Sequence, residues 1–158
     1  MIELDDIYLH LIDLLQRDAR LSYRELGERI GLSPPAIAER IHKLEAAGII
    51  TGYRATVDYE AVGFPLLCII RLNAAGKDRS IDEIIRALPE VIEANRVTGS
   101  ESHVIRARVT STHHLEDLLD HFWDHGSSVT NIVTSSPVPR RPMNVGEALE
   151  RAAETVAR

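Results

Sequence analysis

The spacing of apolar positions changes twice along the chain. Leu4, Ile7, Leu11, Leu14 and Leu15 fall on one stripe and predict a helix over residues 5–17, with Asp5 and Asp6 at its positive end. The helical period then recurs in two shorter stretches. Leu26 and Ile30 lie one turn apart behind a Ser22-x-x-Glu25 capping pattern, and Ile37, Ile41 and Leu44 follow at i, i+4, i+7. Between them Gly31 suits a turn with positive φ, Ser33 an N-cap and Pro34 the first helical position, and Gly48 suits the C-cap. Residues 49–57 read as a β wing, with Thr51, Tyr53 and Arg54 along it as candidate contact residues. Residues 58–64 read as a linker with a turn at Gly63.

From Pro65 the pattern is that of a second domain. Residues 66–72 are almost wholly apolar, as in a central buried strand. Residues 75–79 read as a loop. Ser80 and Glu83 repeat the capping pattern ahead of a helix carrying Ile81, Ile84, Ile85 and Leu88, which ends at Pro89. Residues 91–97 form a strand and 98–102 a turn. In residues 103–109 Ile105, Ala107 and Val109 alternate with Arg106 and Arg108, as in a half-exposed strand. Thr112 opens a helix with Leu115, Leu118, Leu119 and Phe122, stopped by Gly126, and residues 129–138 form the last strand. The order β-α-β-β-α-β is the ferredoxin-like split βαβ unit. Its helices cover one face of the sheet only, so a second copy of the sheet is the economical cover for the other.

Two short helices joined by a glycine turn make a helix-turn-helix, whose second helix enters the major groove. At about 100° per residue from Ile37, the reading places Ala36, Glu39, Arg40 and Lys43 away from the core. Arg40 and Lys43 reach phosphates or guanine edges, and Ser33 with the helix-start amides holds a phosphate. Ser22, Pro35 and Arg54 complete the expected DNA-binding set.

The run GLSPPAIAERIHKLEAAGIITGY resembles the signature of the Lrp/AsnC, or feast/famine, family of prokaryotic transcription regulators. That family reads G-L-S-x-x-x-x-x-R-[IV]-x-x-L-E-x-x-G-[IV]-I-x-G-[YF]. Gly31, Leu32, Ser33, Arg40, Ile41, Leu44, Glu45, Gly48, Ile49, Ile50, Gly52 and Tyr53 match it. The resemblance spans roughly residues 3–139. It implies an α+β protein with a winged helix-turn-helix at residues 1–57, a linker at 58–64, a ferredoxin-like (RAM-type) effector and oligomerisation domain at 65–139, and a tail at 140–158. It also implies binding of double-stranded DNA, a homodimer that assembles further into a tetramer or octamer, and a small amino acid as effector, with no other cofactor.

In the resembled family the turn before the third strand reads V-T-G-x-x-D-[YF], and its Asp is implicated in holding the ligand's ammonium group. Val97, Thr98 and Gly99 match. Ser102 stands where that Asp would be and His103 where the aromatic would be, which removes a charge from the site. Glu101 is a neighbouring substitute. The expected effector contacts are Thr98, Gly99, Ser100, Glu101, Ser102 and His103, joined by Thr134 and Ser136 from the facing strand.

Composition adjusts this picture. The net charge of the 158 residues is −6, and residues 1–59 alone hold seven Lys/Arg against ten Asp/Glu. Few cations mean few phosphate contacts per subunit, so DNA binding is expected to need several linked heads. The single Cys68 sits in an apolar run and excludes a disulfide framework. No run of 18 apolar residues and no signal-peptide pattern occur, so a cytoplasmic, non-membrane protein is expected. His114, His121 and His125, near Asp117 and Asp124, read as a solvated helix face, and no metal is expected. The remaining tail, with Val145, Leu149, Ala152, Ala153 and Val156, reads as a weak amphipathic helix that packs on a neighbouring subunit or moves freely. The rivals to a non-enzymatic regulator are a sirohaem-decarboxylase-like enzyme of similar architecture and a DNA-compacting architectural protein.

Overall fold

The computed structural model describes residues 2–74 and 80–156, so the loop expected at residues 75–79 lies outside the described residues. The chain divides into two compact units, Met1–Thr56 with Val138–Arg158, and Val57–Pro137. The linker residues 58–64 therefore fall in the second unit, and the chain returns to the first unit at its end.

In the first unit α1 (Asp6–Arg17), α2 (Tyr23–Ile30) and α3 (Pro34–Ala46) enclose a core of Tyr8, Leu11, Ile12, Leu15, Leu26, Ile37, Ile41 and Leu44. Each Leu or Ile buried there contributes about 1.5–3 kcal/mol. The buried arc of α1 is shifted from the expected stripe: Tyr8 and Ile12 are buried, whereas Ile7 and Leu14 are only half-buried. The reason is a second neighbour. A C-terminal helix, α6 (Val145–Val156), packs on α1, with Val145 against the core and Met143 O accepting from Gln16 Nε2 at 3.2 Å. The tail is thus part of the first unit.

Local signals set the helix ends. Asp5 caps α1 by accepting from Tyr8 N at 2.8 Å. Ser22 and Glu25 form the full capping box on α2. Gly31 turns with φ 82° into α3, which begins at Pro34. Two expectations change. Ser33 occupies the N-cap of α3 without a side-chain capping bond, and the C-cap of α3 is Ala47, with Gly48 one residue beyond at φ 69°. The expected wing at residues 49–57 is not a strand. The amides of Ile49 and Ile50 both donate to Leu44 O, and residues 51–57 make no backbone hydrogen bond within the described chain. A strand is defined by its ladder, and none of the described residues supplies one here.

The second unit is a four-stranded antiparallel sheet in the order β2-β3-β1-β4. Its strands are β1 (Leu66–Ala74), β2 (Val91–Arg96), β3 (His103–Val109) and β4 (Gly126–Ile132). Helices α4 (Ser80–Ala87) and α5 (Thr112–Asp120) bury Ile81, Ile85, Leu115 and Leu118 against Cys68, Ile70, Leu72, Ile105, Ala107 and Val109. Phe122 completes this core from beyond the end of α5, where a 3-10 turn (Trp123–His125) replaces the expected helical continuation. The last strand begins three residues earlier than expected and ends at Ile132, not Val138. Ile132 pairs with Cys68, Val133 N reaches Leu67 O, and Pro65 ends the chain of available partners.

The pairing of Ile69 with Arg106 and Asn131, and of Arg71 with Val104 and Val129, puts these side chains on the helix-free face. Arg106 binds Glu93 at 3.5 Å there, and Arg108 lies over Tyr59 with its Nη1 on Phe64 O and Pro65 O. The Nε atoms of Arg106 and Arg108 are sealed from solvent without a partner among the described residues.

Candidate DNA interface and effector turn

Helix α3 presents Pro35, Glu39, His42 and Lys43 outward, while Ala36 and Arg40 are half-buried. Lys43 Nζ donates to Glu39 Oε1 at 2.6 Å. That contact holds Glu39 below and Lys43 above their ordinary pKa values, so both are charged at neutral pH. His42, absent from the sequence reading, stands 72% exposed on the same face with Nδ1 3.4 Å from Glu45. Ser22, Ser33 and Arg54 are exposed, although the Ser22 hydroxyl donates to Glu25 Oε2 at 2.7 Å.

Arg40 requires a correction. It does not lie on the face away from the core. Three residues past Ile37 it falls about 60° from the core direction, on the shoulder of the helix. Its Nη1 lies 3.2 and 3.1 Å from the two carboxylate oxygens of Asp5, and its Cζ sits 4.5 Å from the centre of the Tyr8 ring. The side chain is 25% exposed. Tyr53, from the expected wing, packs on its own unit. It donates to Glu45 at 3.0 Å, and partial burial, followed by that carboxylate, pushes its pKa up to about 12. It lines a cavity of about 460 Å³ with Ile12, Leu15, Ile50 and Val145.

In the second unit the turn between β2 and β3 holds Thr98, Gly99 and Ser100 exposed, with Glu101 half-buried. Glu101 takes the Ser100 hydroxyl at 2.7 Å and faces Arg71 at 3.9 Å. Ser102 does not stand free where a ligand-holding carboxylate is expected. Its hydroxyl donates to Leu72 O at 3.0 Å, accepts from Ala74 N at 2.9 Å and lies 2.8 Å from His103 Nδ1. It ties the turn to the end of β1. His103 is the one buried polar residue among those described, 5% exposed, with Nε2 3.1 Å from Asp82 Oδ1. Asp82 also receives Arg96 at 2.6 and 3.3 Å. Thr134 and Ser136 lie exposed beyond the end of β4, so no facing strand carries them. The expected histidine face is dispersed as well. His114 contacts Glu90 at 3.1 Å, His121 contacts the Asp117 carbonyl, and His125 sits in the 3-10 turn. Among the described residues no group of His, Cys, Asp and Glu could hold a metal.

The Asp82 cluster carries a pH dependence. The Arg96 bond first, and the His103 bond second, hold its carboxyl below the ordinary value. A lowered folded pKa contributes stability above the unfolded value of about 3.9, and this is lost as pH falls through the folded value. The melting point of the second unit is therefore expected to fall as the pH drops below about 4. Asp82→Asn is expected to remove part of that fall, as measured by thermal unfolding against pH. An identical acid profile in the variant would show that the carboxylate contributes nothing.

The model of the AsnC-type helix-turn-helix domain matches residues 4–45, and the model of the Lrp/AsnC ligand binding domain matches residues 67–143. The HTH-type transcriptional regulator LrpC of Bacillus subtilis is 34% identical over 134 residues, covering 84% of this chain and 93% of that protein. The chain belongs to the Lrp/AsnC family. It is accordingly a DNA-binding transcriptional regulator with an amino-terminal helix-turn-helix and a ferredoxin-like sheet. The solved structure of B. subtilis LrpC superposes with a TM-score of 0.84 at 32% identity, covering 88% of this chain and all of that one. A feast or famine regulatory protein from M. tuberculosis, solved with L-methionine, superposes at 0.83 with 30% identity over 89% of this chain and 99% of that one. Among the described residues of this Lrp/AsnC chain, no helix is long and apolar enough to cross a membrane.

Proposed function

We propose that this Lrp/AsnC protein regulates transcription as a homo-oligomer whose affinity for DNA responds to a small amino acid. The observation that carries the reading is the outward face of α3, where Pro35, Glu39, His42 and Lys43 stand exposed at the groove-entering helix of the motif. Glu39 accepts from a cytosine amino group and Lys43 donates to guanine or to a phosphate. Ser33 and Ala36 lie at the start of the same helix, Ser22 and Arg54 are further exposed candidates in the unit, and Arg40 contributes from the helix shoulder. The helix-free sheet face, which leaves Val129 and Asn131 exposed, supports pairing with a second copy. Paired heads call for two-fold related half-sites about one helical turn apart, or a multiple of it.

The effector half of the proposal rests on the turn at Thr98, Gly99, Ser100 and Glu101, and on the relative solved with L-methionine. Because Ser102 and His103 are held to β1 and α4, Glu101, whose only hydrogen bond from a side chain among the described residues comes from Ser100 in the same exposed turn, is the carboxylate nearest to hand for an ammonium group. The relatives bear the names of regulators, which supports a binding protein over the enzymatic rival.

The test is selection from a random duplex library, with and without L-methionine and the other amino acids. A recurrent two-fold site is expected, with retention that changes for at least one amino acid. Glu39→Ala is expected to relax selection at one base pair by about 1–3 kcal/mol. Lys43→Ala, if it loses a phosphate contact, is expected to flatten the log–log salt slope by about 0.9. Saturation of any duplex with no recurrent site would instead favour the architectural rival.

A further inference from the structure

The Arg40 guanidinium is held on one side and open on the other. Asp5 takes Nη1 with both of its oxygens, and the Cζ of the group sits over the Tyr8 ring, 4.5 Å from its centre. Nη1 is the terminal nitrogen on the same side as Cδ. The opposite edge, Nε with Nη2, is the side-on fork that matches two oxygens of a carboxylate or phosphate. Neither Nε nor Nη2 has a hydrogen bond among the described residues. Neither is among the sealed, unpartnered polar atoms, and the side chain is 25% exposed, so this edge is not closed off from solvent.

The two holding residues are themselves fixed. Asp5 is the N-cap of α1, with Oδ1 also accepting from Tyr8 N at 2.8 Å, and the bonds to that backbone amide and to Arg40 help keep its carboxyl ionised. Tyr8 is buried in the core of the first unit, 8% exposed. A long, rotamer-rich arginine is therefore set in one orientation before any ligand arrives, which removes an ordering cost from binding.

We propose that Asp5 and Tyr8 are positioning residues for DNA binding, aiming the free Nε–Nη2 edge of Arg40 at a backbone phosphate beside the recognition helix. A phosphate, rather than a base edge, is the occupant because Arg40 sits on the shoulder of α3 and not on its outward face. Asp5 offsets the charge of Arg40, so the contact acts through bidentate geometry more than through net charge. The inference rests on the reading that α3 enters the groove, and it adds a role for α1, on the far side of the motif in sequence.

The experiment compares binding of the library-selected duplex by five full-length variants, alongside Glu39→Ala and Lys43→Ala, with thermal unfolding as the check on folding. Arg40→Ala and Arg40→Lys are expected to weaken binding alike, because lysine keeps the charge and loses the fork. Asp5→Asn keeps a good N-cap, and Tyr8→Phe keeps the ring. Tyr8→Phe is expected to bind as the parent does. Asp5→Asn and Tyr8→Leu are expected to weaken binding about two- to tenfold, the scale of one side chain's ordering. The loss is expected to be equal across sequences, with an Asp5→Asn melting point within a few degrees of the parent. Tighter binding by Asp5→Asn would overturn the proposal and make Asp5 a mask over Arg40. Unchanged binding by both Asp5→Asn and Tyr8→Leu would overturn it with the groove reading intact. If Arg40→Ala has no effect while Glu39→Ala and Lys43→Ala do, Arg40 is a strut between helices. If none of the α3 variants alters binding, the groove reading itself fails.

Discussion

Gly27→Ala is expected to abolish DNA binding by unseating the recognition helix. A Cβ at Gly27 would lie 2.4 Å from Leu32 O, 3.5 Å from Leu32 C and 3.7 Å from Ile37 Cγ1. The first two of these neighbours are backbone atoms, held in place because the amides of Gly31 and Leu32 both donate to Gly27 O, at 2.8 and 3.0 Å. The turn between α2 and α3 is folded directly onto this residue and cannot move away without giving up those bonds. The cost is expected to be about 3 kcal/mol or more, at the upper end of overpacking effects. Circular dichroism on heating is expected to show an early transition from loss of the helical unit, and the selected duplex is expected no longer to be retained. The sheet of the second unit should remain folded, since its core shares no residue with the first. A variant that melts and binds as the parent does would show that the turn accommodates a methyl group.

Gly126→Ala is the matching change in the second unit. Here a Cβ would meet Asn73 O at 2.1 Å, with Ala74 Cα and Asn73 C both at 3.0 Å, and φ is 149°. Gly126 opens β4 opposite Ala74 and follows directly on the 3-10 turn that delivers Phe122 to the core. The steric conflict and the backbone conformation both oppose a side chain, so the expected loss is again about 3 kcal/mol or more. Freeing β4 exposes an edge of β1 and withdraws Val129 and Asn131 from the helix-free face. If the sheet pairs as proposed, the variant is therefore expected to show a smaller particle in light scattering and to bind DNA more weakly through loss of linked heads, although the helix-turn-helix is untouched. Unchanged oligomer size and melting point would remove β4 from any role in assembly.

Legibility from sequence followed the range of the interactions involved. The capping box at Ser22 and Glu25, the turn at Gly31 and the start of α3 at Pro34 are all decided within four residues, and all were readable. The same holds for the order of strands and helices in the second unit, where burial alternates cleanly along β3. The ends of β4 were misread because a strand stops where its partner stops, and Pro65, more than sixty residues earlier, sets that limit. The wing at residues 49–57 was misread for a related reason: its composition suits a strand, but the described residues offer it no ladder.

The site divides in the same way. Glu39, Lys43, Pro35 and Ala36 could be assigned to α3 from spacing alone. Arg40 could not be placed, because Asp5 and Tyr8 lie 35 and 32 positions away and only the packing of α1 on α3 brings them beneath it. Ser102 and His103 suggested a departure from the family's ligand turn. Their hydroxyl and imidazole are in fact committed to Leu72, Ala74 and Asp82, residues on β1, at its end and on α4.

The sequence by itself determined the two-unit architecture, the helix-turn-helix and the family, because apolar period, caps and turn glycines act over a few residues and leave a repeating mark. Tertiary structure decided which polar groups remain free to act. A hydroxyl or guanidinium has several donors and acceptors, and only the approach of distant backbone and side chains shows which are already satisfied. That is why Ser102, matched to a ligand position by alignment of motifs, serves the fold, and why Arg40 has one edge committed to Asp5 and the other without a partner among the described residues.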